Sequence, residues 1–173
     1  HNILEGKKTE FIAAEPEACP KLTRGKFSYD FGDESGYTPL MPMYTIGHNF
    51  QPANIHAGGL RYHGAGVIIS QLMKDGLMKG MDIKQTESFH AGILFARHEG
   101  IVPAPESCHA IAATIREAEK CKETGEEKVI LFNLSGHGLI DMASYDQYLA
   151  GNLMNYELKD EDIQKNLDEI KNM

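Results

Sequence analysis

The 173-residue chain contains no run of about 18 apolar residues, which excludes a membrane-spanning helix. It has no charged start followed by an apolar block, so no signal peptide is expected. Basic residues are in deficit: 17 Lys and Arg stand against 25 Asp and Glu, a net charge of −8. Nucleic acid and anionic membranes are poor partners for such a chain, because phosphate binding wants clustered cations. Only three cysteines occur, Cys19, Cys108 and Cys121; they form no CxxC pair and leave one thiol over. Reduced thiols in a cytoplasmic protein are the expectation. There is no GxSxG elbow, no P-loop and no GxGxxG. Eight histidines are present, but His48, His56 and His63 lie in irregular chain and make neither an HxxxH nor a His/Cys knuckle, a poor basis for a metal site.

What remains is an ordinary globular composition, 42% apolar and 24% charged, in a length that can bury a core as one domain or as one large piece of a bigger one. Thr9–Ala14 reads as a short buried strand, Met81–Gln85 as a second, and Val129–Leu134 as a third. Helical patterns cover Val67–Met78, Ser88–Arg97 with Phe89, Ile93 and Leu94 inward, and Ser107–Lys122 with Ser107 as N-cap and Ile111, Ile115 and Ala118 on one face. Gly100 and Gly125 supply the stops of the last two. Two more helices follow, near Ser144–Leu149 and from Asp160 onward, the latter with Ile163, Leu167 and Ile170 in helical register. Between Cys19 and Gly66, Gly and Pro recur and no period holds, so a long irregular but aromatic-rich segment is expected. Near-continuous apolar strands separated by helices imply an α/β layer with a partial, mostly parallel sheet flanked by helices. Three strands are few for such a sheet, and neighbours outside this chain are expected.

Chemistry concentrates in three places. Ser135, ending KVILFNLSGHG, sits where ligands meet parallel sheets, beyond the carboxyl end of a strand, and Gly136 lets a flat ring come close. The same serine also suits a plain strand-end cap. Glu106, in GIVPAPES, lies at a helix start, where the dipole favours negative charge; first-turn carboxylates with no other role are common. His56–Gly64, HAGGLRYHG, sets glycines around Arg61, which suits a backbone held close to a ligand with a cation aimed at it, or equally a tight solvated turn.

Five segments, EPEACPKLTRGKFSYDFGD, TPLMPMYTIGH, IHAGGLRYHG, LFARHEGIVPAPESCHA and KVILFNLSGHG, together resemble the C-terminal part of tryptophan synthase β chains, above all the second, divergent type, from about Thr9 to about Tyr156. The resemblance implies the second fold type of pyridoxal-phosphate enzymes, two α/β domains with pyridoxal 5'-phosphate between them. It implies joining of a serine-type substrate to indole by β-replacement, and a homodimer. It places the Ser135 hydroxyl at the pyridine nitrogen of the cofactor. There a neutral group makes the ring a weaker electron sink than a carboxylate would, and favours expulsion of the β-leaving group. Gly136 and Gly138 would leave room for the ring, and His137 stands where the common type carries arginine. Glu106 matches the carboxylate beside the ring that helps govern β-elimination. Arg61 stands in place of an aspartate that approaches the substrate hydroxyl; a guanidinium there favours an anion, so O-phosphoserine joins L-serine as a candidate donor.

The family also binds a monovalent cation through backbone carbonyls, and Leu60, Tyr62 and Gly64 match that loop, with Glu15 at a further contributing position. The Schiff-base lysine and the phosphate cup of the family have no counterpart here. The expectation is therefore an incomplete C-terminal cofactor-binding domain over residues 1–173, inactive alone and completed by self-association or by an N-terminal chain. Another lyase of the same fold type and a non-catalytic binding or oligomerisation module are the competing readings.

Overall fold

The computed structural model describes residues 2–171. The elements run α1 (Asn2–Glu5), β1 (Ile12–Pro16), β2 (Lys26–Asp30), β3 (Met41–Thr45), a 3-10 turn (Gly58–Leu60), α2 (Val67–Lys74), β4 (Lys79–Ile83), α3 (Gln85–Glu99), α4 (Pro105–Thr124), α5 (Met142–Leu149) and α6 (Asp160–Lys171). β1 and β4 pair in parallel, from Ile12 opposite Lys79 to Pro16 opposite Ile83. β2 and β3 form a separate antiparallel hairpin, Lys26 opposite Thr45 and Asp30 opposite Met41. The α/β class holds, but the parallel sheet has two strands.

The segment expected to be irregular thus contains a hairpin. Its signal was weak because the strands are short, β2 carries a charge at each end (Lys26, Asp30) and β3 has a proline at its second position (Pro42). Burial fixes the hairpin: Asp30 and Thr45 are both fully buried, and the Thr45 hydroxyl donates to Asp30 Oδ2 at 2.6 Å.

The expected third strand is a correction. Val129–Leu134 has no ladder partner among the described residues. Its side chains still alternate: Ile130 and Phe132 are half-buried, and the Phe132 ring meets Phe95 edge-on at 5.8 Å. Val129 and Leu131 point outward, 100% and 92% exposed. This is the side-chain pattern of a half-covered strand without the backbone bonds of one.

Helices α3 and α4 end on Gly100 and Gly125, each in the left-handed conformation at φ 70° that a side chain would strain. α4 is capped at Ala104, three residues before the expected cap Ser107, because Pro105 at its first turn needs no N–H partner and is already set near helical φ. Ser107 is therefore not its cap but a buried residue inside the helix. Leu94 and Ala118 are exposed rather than inward, since α3 and α4 pack through Ala91, Ile111, Ala112 and Ala113 against Ile83. A bidentate pair from Arg116 to Glu87, with a further bond to the Asp82 carbonyl at 2.9 Å, ties α4 to α3 and the end of β4. α6 lays Ile163, Leu167 and Ile170 onto Cys19, Ile46, Phe50 and Ile55, so the C-terminal helix closes the core beneath the hairpin. Among the described residues no helix is long and apolar enough to cross a membrane.

Candidate functional site

The site is built where the Pro103 strap meets the chain after Leu134. Ala104 N–H donates to the Gly136 carbonyl at 3.1 Å and Gly138 N–H to the Val102 carbonyl at 2.7 Å, an antiparallel bridge around Pro103 and His137. The strap is itself held from behind. Tyr145 of α5 donates its hydroxyl proton to the Pro103 carbonyl at 2.5 Å, which leaves the Cys108 thiol, 3.2 Å away, as donor to Tyr145 Oη. Burial pushes the Cys108 thiol up to about 11 and raises Tyr145 as well, so both stay protonated at neutral pH.

This bridge delivers Ser135 to the first turn of α4. Ser135 N–H donates to Ser107 Oγ at 3.1 Å, and the two hydroxyl oxygens lie 3.2 Å apart. Ser107 is buried and Ser135 is exposed, so the pair runs from inside the protein to its surface. One residue before Ser107, Glu106 Oε1 accepts the Gly59 N–H at 2.8 Å and so joins α4 to the 3-10 turn. Two residues past Gly59, Arg61 donates to the Pro52 carbonyl at 3.3 Å, and its buried Nε has no partner. An orphaned guanidinium donor in a loop joined to Glu106 is the kind of group that awaits an anion. Ser135, Glu106 and the Arg61 loop are thus joined at one end of α4.

The two glycines differ from one another. Gly136 is exposed, and a Cβ there would meet only the Ala104 methyl at 3.2 Å. Gly138 is buried, and the space its missing Cβ leaves is filled by the Pro103 carbonyl at 2.4 Å and the Tyr145 ring at 2.9 Å. Its room serves the protein's own packing rather than an incoming ring. His137 is exposed and its Nδ1 accepts the Leu139 N–H at 3.3 Å.

Of the residues matched to a monovalent cation, Glu15 and Leu60 have their oxygens already engaged. Every oxygen of buried Glu15 is engaged: Oε1 takes Leu22 N–H at 3.1 Å, Thr23 N–H at 2.8 Å and the Thr23 hydroxyl at 2.7 Å, and Oε2 takes Leu22 N–H at 2.9 Å. The Leu60 carbonyl accepts both Tyr62 N–H at 2.9 Å and Lys21 Nζ at 3.4 Å. Tyr62 is exposed, and Gly64 is bridged to Thr45 of the hairpin. Burial holds Glu15 above the ordinary carboxylate value and Lys21 below the ordinary ammonium value, each opposed by the other's charge.

Sequence reasoning missed Ser107, Lys21 and a buried polar knot. His48 Nδ1 lies 2.6 Å from Asp30 Oδ1, and His63 Nε2 donates to the Phe31 carbonyl at 2.8 Å beside the same carboxylate. Two of the three histidines do converge, then, on a structural carboxylate; among the described residues no group of three or more His, Cys, Asp or Glu is placed to hold a metal ion. A fourth miss is His109, buried at 3% exposure, whose Nδ1 donates to the Pro105 carbonyl at 2.9 Å while Nε2 has no partner among the described residues. It lines a cavity of about 10 Å³ with Gln85 and Ser88, room for one water, and burial keeps the ring below the ordinary imidazole value. No local spacing signals these contacts, which join residues 28 to 39 positions apart in the Ser107–Ser135 and Lys21–Leu60 pairs.

Fold and site define an α/β protein that sets an exposed hydroxyl, Ser135, and a carboxylate, Glu106, at the first turn of one helix, beside the loop that carries Arg61. The chain belongs to the pyridoxal-phosphate dependent enzymes: the model of that family matches residues 2–136. It is 59% identical over 156 residues to tryptophan synthase beta chain 2 of Aquifex aeolicus, covering 88% of this chain and 36% of that one. It is likewise 59% identical over 152 residues to tryptophan synthase beta chain 2 of Methanosarcina acetivorans, covering 87% of this chain and 34% of that one. Against the tryptophan synthase beta chain of Pyrococcus horikoshii it is 55% identical over 157 residues, 90% of this chain and 34% of the relative. The chain spans about a third of the length of the curated relatives it matches.

Proposed function

We propose that this chain is the C-terminal, cofactor-contacting part of a cytoplasmic, oligomeric lyase that makes tryptophan by β-replacement, from indole and L-serine or O-phosphoserine. The observation that carries the reading is the Ser107–Ser135 pair: a surface hydroxyl backed by a buried one, at the position the resemblance gives to the cofactor's ring nitrogen. Bound pyridoxal phosphate supplies the electron sink for loss and replacement of the β-substituent. The chain's own groups do the rest. With Ser107 donating to Ser135 Oγ, the Ser135 proton is left to point outward, toward a neutral nitrogen acceptor. Gly136 keeps the approach to that hydroxyl low, and His137 and Gly138 complete the turn that presents it. Glu106 is set beside the reacting centre by the Gly59 N–H, and Arg61 brings a cation with a spare donor for an anionic leaving group.

A lysine to hold the cofactor and a cup for its phosphate would come from a complementing N-terminal segment. Val129–Leu134, an extended segment without a ladder partner among the described residues and with Val129 and Leu131 turned outward, is the stretch such a segment would cover. Mixing the chain with the matching N-terminal part and pyridoxal phosphate is expected to produce a Schiff-base absorbance seen with neither piece alone, and tryptophan formation from indole. Ser135→Ala in the same mixture is expected to shift that absorbance. If the mixture gives no chromophore, the chain is a binding or oligomerisation module instead. If Ser135→Ala leaves the spectrum and rate untouched, the serine assignment falls.

A further inference from the structure

We propose that the Lys21 ammonium is a tethered cation that does the work of a free alkali-metal ion between the Glu15 carboxylate and the Leu60 carbonyl, so that the Gly58–Leu60 turn is held without one. Lys21 is 8% exposed, an unusual position for a lysine. Its Nζ lies 3.4 Å from the Leu60 carbonyl and 3.8 Å from Glu15 Oε2. The backbone around it is wound for this purpose. Leu22 and Thr23, the next two residues, turn both N–H groups onto Glu15, while Arg24 and Gly25 N–H donate back to the Pro20 carbonyl at 2.9 and 3.1 Å. The stem of Lys21 therefore leaves a rigid turn wrapped around the carboxylate.

A free cation has nothing to gain in the same place. Both lone pairs of the Leu60 carbonyl are taken, both Glu15 oxygens are taken, and a second positive charge would sit against the ammonium. The turn so held carries groups on both sides: Gly59 N–H on Glu106 Oε1 at 2.8 Å, and Arg61 directly after Leu60. Lys21 is thus a positioning residue for the loop that bears Arg61. The inference concerns how that loop is held, and stands or falls separately from the proposed reaction.

The test is thermal unfolding of the 173-residue chain in tetramethylammonium, sodium, potassium and ammonium chloride at equal ionic strength, together with thallium(I) NMR as a probe of monovalent-cation binding. The wild-type chain is expected to melt at one temperature in all four salts and to show no saturable thallium signal. Lys21→Met is expected to lower the melting temperature by a few degrees. Potassium or ammonium, and not tetramethylammonium, is then expected to recover that loss saturably. A cation-selective melting shift or saturable thallium binding in the wild type overturns the proposal, and so does a folded Lys21→Met chain that responds to no monovalent cation. Should Lys21→Met not fold, the two wild-type measurements decide alone.

Discussion

Arg61 shows how much one side chain can say once its neighbours are known. A guanidinium has five donors in a fixed fork, and this one, with a buried Nε–H left unpaired among the described residues, donates to the Pro52 carbonyl. Leaving a buried charged donor unpaired is costly unless a ligand comes to it, and a charge-assisted bond contributes about 1.5–3 kcal/mol when made. In the enzyme completed by its N-terminal part, Arg61→Asp is therefore expected to lower kcat/KM for O-phosphoserine relative to L-serine by about tenfold or more. An unchanged ratio in a side-by-side assay removes the anion role. Arg61 was conspicuous in the sequence because three glycines surround it. Ser107 was not, because a serine at the start of a helix is more often a cap, and only the position of Pro105 shows that this one is free to back Ser135.

At the scale of elements, α3, α4 and α5 meet at one point: Phe89, Cys108 and Tyr145 form a small buried cluster, with the Phe89 and Tyr145 rings 5.1 Å apart at 70°. Gly92 lets α3 come that close. A Cβ there would lie 2.4 Å from Cys108 Sγ and 2.9 Å from Tyr145 Oη. Alanine is favoured over glycine in a helix by about 0.8–1.0 kcal/mol, but overpacking costs about 1–3 kcal/mol, so the clash wins. Gly92→Ala is expected to lower the denaturant midpoint, and Cys108→Ala in the same chain to restore part of it, since the nearer obstacle is gone. Additive losses in the double-mutant cycle contradict this packing. The helices themselves were largely legible: α6 follows its apolar spacing, and α3 and α4 stop at the glycines that marked their ends. The faces of α3 and α4 were less so. Leu94 and Ala118 fit an apolar stripe but face water, because each helix is long enough to carry more apolar residues than its neighbour covers.

For the molecule as a whole, the unusual feature is an extended apolar stretch that has no ladder partner among the described residues. Val129, Leu131, Leu139 and Ile140 are all exposed along one stretch, while Phe132 anchors that stretch to the core through Phe95. Unpaired amides open freely to solvent and ladder amides do not. Hydrogen exchange is therefore expected to be fast over residues 129–134 and slow over β1 and β4 in the chain alone. Protection over 129–134 is expected to rise when the N-terminal part is added. Protection already present in the monomeric chain alone would mean that the segment is paired within it.

The sequence alone determined what depends on near neighbours: the α/β class, the helices with clear periods and glycine stops, and the family, which is written in short motifs. Tertiary structure decided what depends on meetings across the chain. It withheld a partner from Val129–Leu134, folded a hairpin from a segment with no visible period, and set Ser107 behind Ser135. It also brought the Lys21 ammonium to Leu60. Those outcomes follow from which buried polar atom finds which partner at a distance. A periodicity carries no record of that, because the cost of leaving such an atom unpaired arises only once the chain has closed around it.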